Sequence, residues 1–312
     1  MNTTSWPNSI SRCFVSENFL LAVFCSCYVS LLIRSVGMHG HIRISKKRVL
    51  VVVFGFWLCS TTLAEDSGHP LDKKFSVSAG VFITNHDTRI RLDTDAGPGT
   101  EVSLENDLGL DATTNIMRID AAWRFSERHR AHFGVFDLSQ TGSRTLDRDL
   151  VIGENTYLLG DAVLTDWKMR LFELGYAYRI RGNERTQWWL NVGFFIQDTA
   201  IAVAETATGG DVSSEDVVLP LPKFGLAVGH VFNEHWFGHA GVDVFKLEIG
   251  DVGGSLVDIR ATLDYRFTEN ISVGAGWHFI SVIVDLDKSV SGWQGRFDWE
   301  TRGLMLYGRL MW

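Results

Sequence analysis

"SLVDIRATLDYRF", residues 255–267, splits at every second position into two unlike faces. Val257, Ile259, Ala261, Leu263, Tyr265 and Phe267 are all apolar, while Asp258, Arg260, Thr262, Asp264 and Arg266 are polar and mostly charged. Strict period two marks a β-strand whose neighbouring side chains point to opposite faces. A soluble sheet would bury the first face and wet the second. A membrane barrel turns the apolar face to lipid and the charges to its lumen.

The same alternation recurs along the chain. "KFSVSAGVFIT" sets Phe75, Val77, Ala79, Val81 and Ile83 against Ser76, Ser78, Gly80 and Thr84. "NIMRIDAAWRF" sets Met117, Ile119, Ala121, Trp123 and Phe125 against Arg118, Asp120, Ala122 and Arg124, and "TQWWLNVGFFIQ" repeats the pattern from Trp188 to Ile196. These alternating stretches suit strands of about 9–11 residues that cross a bilayer at a tilt, against about 5–6 in soluble sheets. Their apolar sets begin or end in aromatics (Phe75, Trp123, Trp188, Trp236, Phe267, Trp312). Outer-membrane barrels carry such aromatic girdles. The final "LYGRLMW" aligns Leu304, Leu306, Leu310 and the terminal Trp312, the kind of last strand that the bacterial barrel-insertion machinery reads.

Short turns at 126–130, 181–185, 233–235 and 268–270 alternate with longer polar segments at 93–112, 143–165, 205–216 and 285–292. Short turns on the periplasmic side and long loops outside give ten strands joined by five long connections. Eight or twelve strands stay open, because residues 147–165 have room for an extra hairpin. The fold expected is all-β: a closed antiparallel up-and-down transmembrane β-barrel. Its narrow lumen should be filled by a charge network of Arg118, Asp120, Arg124, Glu173, Arg179, Asp258, Arg260, Asp264, Arg266, His278 and Arg309. An Arg on the lipid face near the midplane would cost about 2–4 kcal/mol, which the lumenal placement avoids.

The first 64 residues differ in kind and hold all four cysteines, Cys13, Cys25, Cys27 and Cys59. Lys46, Lys47 and Arg48, an apolar run at 49–58 and small residues at 62–64 read as a secretory signal cleaved after Ala64. Met38 stands where such a signal would start, so residues 1–37 read as an over-extended start, with an N-terminal membrane helix near 18–33 as the competing reading. The barrel proper is then residues 65–312, without cysteine, carrying 23 Lys and Arg against 36 Asp and Glu. Such an acidic chain excludes nucleic acid as a natural partner. The expected partners are outer-membrane lipid, lipopolysaccharide and, during biogenesis, the barrel-insertion machinery.

At "GPGTEVSLENDLGLD", residues 97–111, the chain resembles a group of bacterial outer-membrane β-barrel proteins with a G-T-E-x-x-x-E-x-D-L-G-L type motif, here Gly99, Thr100, Glu101, Glu105, Asp107, Leu108, Gly109 and Leu110. Later stretches, "RHRAHFGVFDLSQTGSRTL" and "LFELGYAYRI", resemble the same group. The resemblance implies an outer-membrane barrel and brings no activity or catalytic residues with it.

Acidic residues gather in the long segments, with Glu101, Glu105, Asp107 and Asp111 in the first. They suggest a cation-concentrating mouth or a loosely held Ca²⁺ or Mg²⁺ near lipopolysaccharide phosphates, or simply a solvated loop; the spacing is not that of an EF-hand. "HFIS" puts His278 and Ser281 on opposite faces of a strand, so they cannot act as a nucleophile–base pair. No zinc spacing, phosphate loop or dinucleotide motif appears, so no cofactor is expected. Three functional readings remain: a structural envelope barrel with a plugged lumen, a narrow channel for small or cationic solutes, and a loop-borne hydrolase.

Overall fold

Each alternating stretch becomes a strand, and the strands run further than the bilayer requires. The computed structural model describes residues 68–93, 97–153, 155–206, 212–249, 252–290 and 293–312; the expected leader, its start and its cleavage after Ala64 lie outside them. In chain order the strands are β1 Phe75–Leu92, β2 Val102–Ser103, β3 Thr113–Arg124, β4 His129–Thr145, β5 Leu150–Ile152, β6 Asn155–Tyr157 and β7 Ala162–Gly182. They continue as β8 Thr186–Glu205, β9 Val212–Val231, β10 Trp236–Ile249, β11 Val252–Arg266, β12 Ile271–Val290 and β13 Trp293–Met311.

Ten of these pair with their chain neighbours in an antiparallel ring, β1-β3-β4-β7-β8-β9-β10-β11-β12-β13. The ring closes where β13 pairs with β1 from Ser76↔Met311 to Leu92↔Gly295. Closure leaves no open sheet edge in lipid, which a membrane sheet requires. Residues 147–165 do hold a hairpin, β5–β6, but it forms its own small sheet and adds nothing to the ring.

The expectation of five long connections needs correction. β9 begins at Val212 and β12 runs to Val290, so the segments at 205–216 and 285–292 are in good part strand, while those at 93–112 and 143–165 stay mostly outside the ring. β10 and β11 pair as far as Ile249↔Val252, a tight hairpin. The reason is an exchange of polarity partway up the wall. On β1 the outward residues are Val81 and Ile83, then Asn85, Asp87 and Arg89; the inward ones are Ser76 and Ser78, then Phe82, Ile90 and Leu92. On β13 the outward series ascends from Trp312, Leu310 and Leu304 to Arg302 and Glu300, while Trp299 and Phe297 turn inward. β7 does the same at Arg170 and Leu171. Polar sequence above this waist is strand facing water, not loop.

Below the waist the lipid-facing run is about nine residues per strand, enough for one tilted crossing. Its lower rim is aromatic: Phe75 stacks on Trp123 and Trp312 at 6.2 and 5.7 Å, and Trp236 meets Tyr265 at 5.1 Å. Above the waist the interior is a continuous apolar core that includes Phe82, Phe136, Trp167, Phe195, Ile280 and Trp299. Residues 97–111 and the β5–β6 hairpin cap it, inserting Leu104, Leu108, Leu110, Leu150, Ile152 and Tyr157. The molecule is therefore a membrane barrel below and a water-facing barrel with an oily centre above.

Candidate functional site

Below the waist, inward side chains from seven strands meet in one cluster, the charged ones on five of them. Arg118 of β3 bridges Asp120 at 2.7 Å and Glu173 of β7 at 2.8 Å. Arg260 of β11 reaches Glu173 at 2.9 Å and Asp120 at 3.4 Å. The Lys223 Nζ of β9 sits among three carboxylates, Glu173 at 2.5 Å, Asp243 at 2.8 Å and Asp258 at 3.4 Å. His278 Nε2 lies 2.7 Å from Asp258 Oδ1, and Asn191 donates to Asp243 at 3.2 Å. Gly225 makes the room: a Cβ there would lie 2.1 Å from Asp243 Oδ1. Lys223, Glu173, Asp258 and His278 are buried, and buried charges persist only when paired like this.

The other expected lumenal residues form separate groups. Asp264 accepts from Tyr307 Oη at 2.8 Å and Ser272 Oγ at 3.3 Å and pairs with Arg309 at 3.2 Å. Arg124 and Arg179 lie nearer the short-turn end, 3.1 and 3.5 Å from Asp72. Arg266 is at the rim, donating to the carbonyls of Gly68 at 2.5 Å and Glu234 at 2.7 Å. These last three fasten residues 68–74 across the barrel floor, with Gln187 adding a bond to Asp72 at 3.0 Å and Leu71 packed against Phe237 and Met311.

Sequence reasoning missed Lys223, Asp243 and Asp72. The register was available, since Lys223 shares its face with Gly225 and Ala227. However, Leu219 and Leu221 occupy that face above the waist, and two prolines interrupt the pattern.

The loop acids do not converge. Glu105 accepts from the Thr88 N–H at 2.9 Å, and Asp107 accepts from the Ser103 N–H at 2.8 Å and pairs with Arg148 at 2.8 Å. Glu101 and Asp111 point to solvent. Gly109 turns the chain at φ +74°, where a Cβ would also lie 2.8 Å from the Ser143 carbonyl. The motif thus locks a loop whose leucines cap the core. Oxygens of Glu173, Asp243 and Asp258 lie within 4.8 Å of one another, the spacing of a metal site. The ammonium of Lys223 already stands among them, so the donors do not fit an added cation. His278 and Ser281 do face opposite ways, His278 inward against Asp258.

Between the cluster and the floor lies a cavity of about 240 Å³, bordered by Asp120, Asp243 and Arg260 toward the cluster and by Arg130, His239 and Arg309 toward the floor.

No family model and no curated protein matches this chain. Among solved structures, the outer membrane protease OmpT from Escherichia coli aligns with TM-score 0.48 and 11% identity, over 80% of this chain and 99% of that one. Ail of Yersinia pestis aligns at TM-score 0.31 and 14% identity, over 76% and 97%, and Neisserial surface protein A at 0.30 and 13%, over 79% and 98%. The assignment rests on the wall itself. A closed ring of ten antiparallel strands with an apolar belt, an aromatic rim and a charged lumen is a transmembrane β-barrel of the outer-membrane class.

Proposed function

We propose that this chain is a structural barrel of the outer membrane, a wall-forming element that carries a rigid water-facing domain above the bilayer. The observation that carries this reading is the filled interior. An apolar core occupies the upper half, a self-paired cluster of three cations and four carboxylates fills the middle, and residues 68–74 cross the floor. Charges that satisfy one another leave little field for a passing solute. Purified protein in planar bilayers should give no discrete conductance steps. Reproducible ohmic steps from the wild-type chain would overturn the reading in favour of a narrow channel for small or cationic solutes. The cavity above the floor is the feature that favours that second reading.

A further inference from the structure

Under that cavity, against residues 70–73, is a smaller void of about 30 Å³. Lys73, Arg124, Arg130, Arg309, His239 and Ser76 line it, and no carboxylate does so among the described residues. This is contrary to the chain's composition, which is strongly acidic after residue 64. Arg124 and Arg309 spend their charge on Asp72 and Asp264, neither of which borders the void. Arg130 makes no ion pair among the described residues. It donates to the Leu71 carbonyl at 2.8 Å, and its guanidinium lies 4.4 Å over the Trp189 ring. Among the described residues the His239 Nδ1 is shielded from solvent and has no hydrogen-bond partner; it donates in the tautomer that carries the ring proton there.

Cations crowded into a poorly hydrated space repel one another, and a buried polar atom without a partner is costly. One small anion answers both. We infer that this void is a binding site for a small monovalent anion of the halide class, held by Arg130 and His239 with Ser76 and Arg309 at its edge. One water needs about 10–15 Å³ of such space, so the void has room for a monatomic ion. Cation–π stacking on Trp189 orders the Arg130 fork without consuming its charge. The site lies outside the charge cluster, so it stands whether or not the lumen conducts.

The test compares full-length mature protein refolded in chloride or in gluconate at equal ionic strength, read as the midpoint of the heat-modifiable gel transition. A ligand that binds only the folded state raises that midpoint by mass action. The wild type should gain a few degrees in chloride and then saturate. Arg130→Gln should lose the gain, while Arg128→Gln, in the exposed turn, should keep it. An equal gain in Arg130→Gln, or none in the wild type, would overturn the site. If Arg130→Gln does not fold, bromide-soaked crystals of the wild type decide. An anomalous peak between Arg130 and His239 is expected, and bromide ordered only elsewhere defeats the proposal.

Discussion

Lys223 is a buried hub of the lumen, since its ammonium is shared by Glu173, Asp243 and Asp258. Lys223→Met should strand buried carboxylates and cost about 3–5 kcal/mol, read as a lower urea midpoint for the folded barrel. Adding Asp258→Asn should recover part of the loss, because the two sites are coupled; additive losses would show that the contacts are not shared. Leu263 and Asp264 test the two faces directly. Leu263 is 43% exposed on the outer wall and Asp264 is fully buried inside. Leu263→Arg should lower the yield of folded barrel in vesicles more than Asp264→Leu, by about 2–4 kcal/mol if it sits near the midplane. The reverse ranking would invert the wall. Arg118, Arg260 and Asp258 were legible because each interrupts an apolar alternation. Lys223 was not, because its face changes from apolar to polar within the same strand.

At the scale of elements, β9 and β10 part company. Their pairing stops at Phe224↔Val244, although β10 goes on to Ile249 with β11 and β9 continues along β8. Pro220 and Pro222 stand just past the break. The β8–β9 ladder runs on past both, so their missing N–H positions face β10. Among the described residues, the backbone groups of Lys246 and Glu248 then have no partner strand on that side. Their amides should exchange with deuterium at least ~10-fold faster than those of Phe245 and Leu247, which face β11. Replacing both prolines with Val should slow Lys246 and Glu248 selectively. Uniform protection along β10 would refute the seam. The sequence shows the prolines plainly, but whether they mark a loop or a strand edge depends on the neighbouring strand, which period two within one segment does not reveal.

For the whole molecule, the two halves obey opposite rules, so they should fail separately. Trp299→Ala removes a fully buried ring from the upper core and should cost about 3–5 kcal/mol there. Trypsin applied to the barrel in vesicles should then cut the half above the waist, while the remaining ring keeps its heat-modifiable migration. Simultaneous loss of both signals would mean that the halves fold as one unit. Ring closure and strand number could be read from alternation and turn spacing. The upper half could not, because Asp87, Arg89, Glu300 and Arg302 look like loop composition until Phe297 and Trp299 are seen to fill the space behind them.

The exchange of polarity also gives the molecule a waterline. Arg170 stands two residues above Phe172, and Arg302 two above Leu304, on the outer wall. Sinking by two residues, about 5 Å along the membrane normal for a tilted strand, would draw those guanidinium groups into hydrocarbon. Rising by as much would bare Ile83, Phe194 and Leu304 to water. With both directions opposed, the barrel has a fixed draught. In a bilayer of the wrong thickness it is the surrounding lipid that must stretch or thin to meet it.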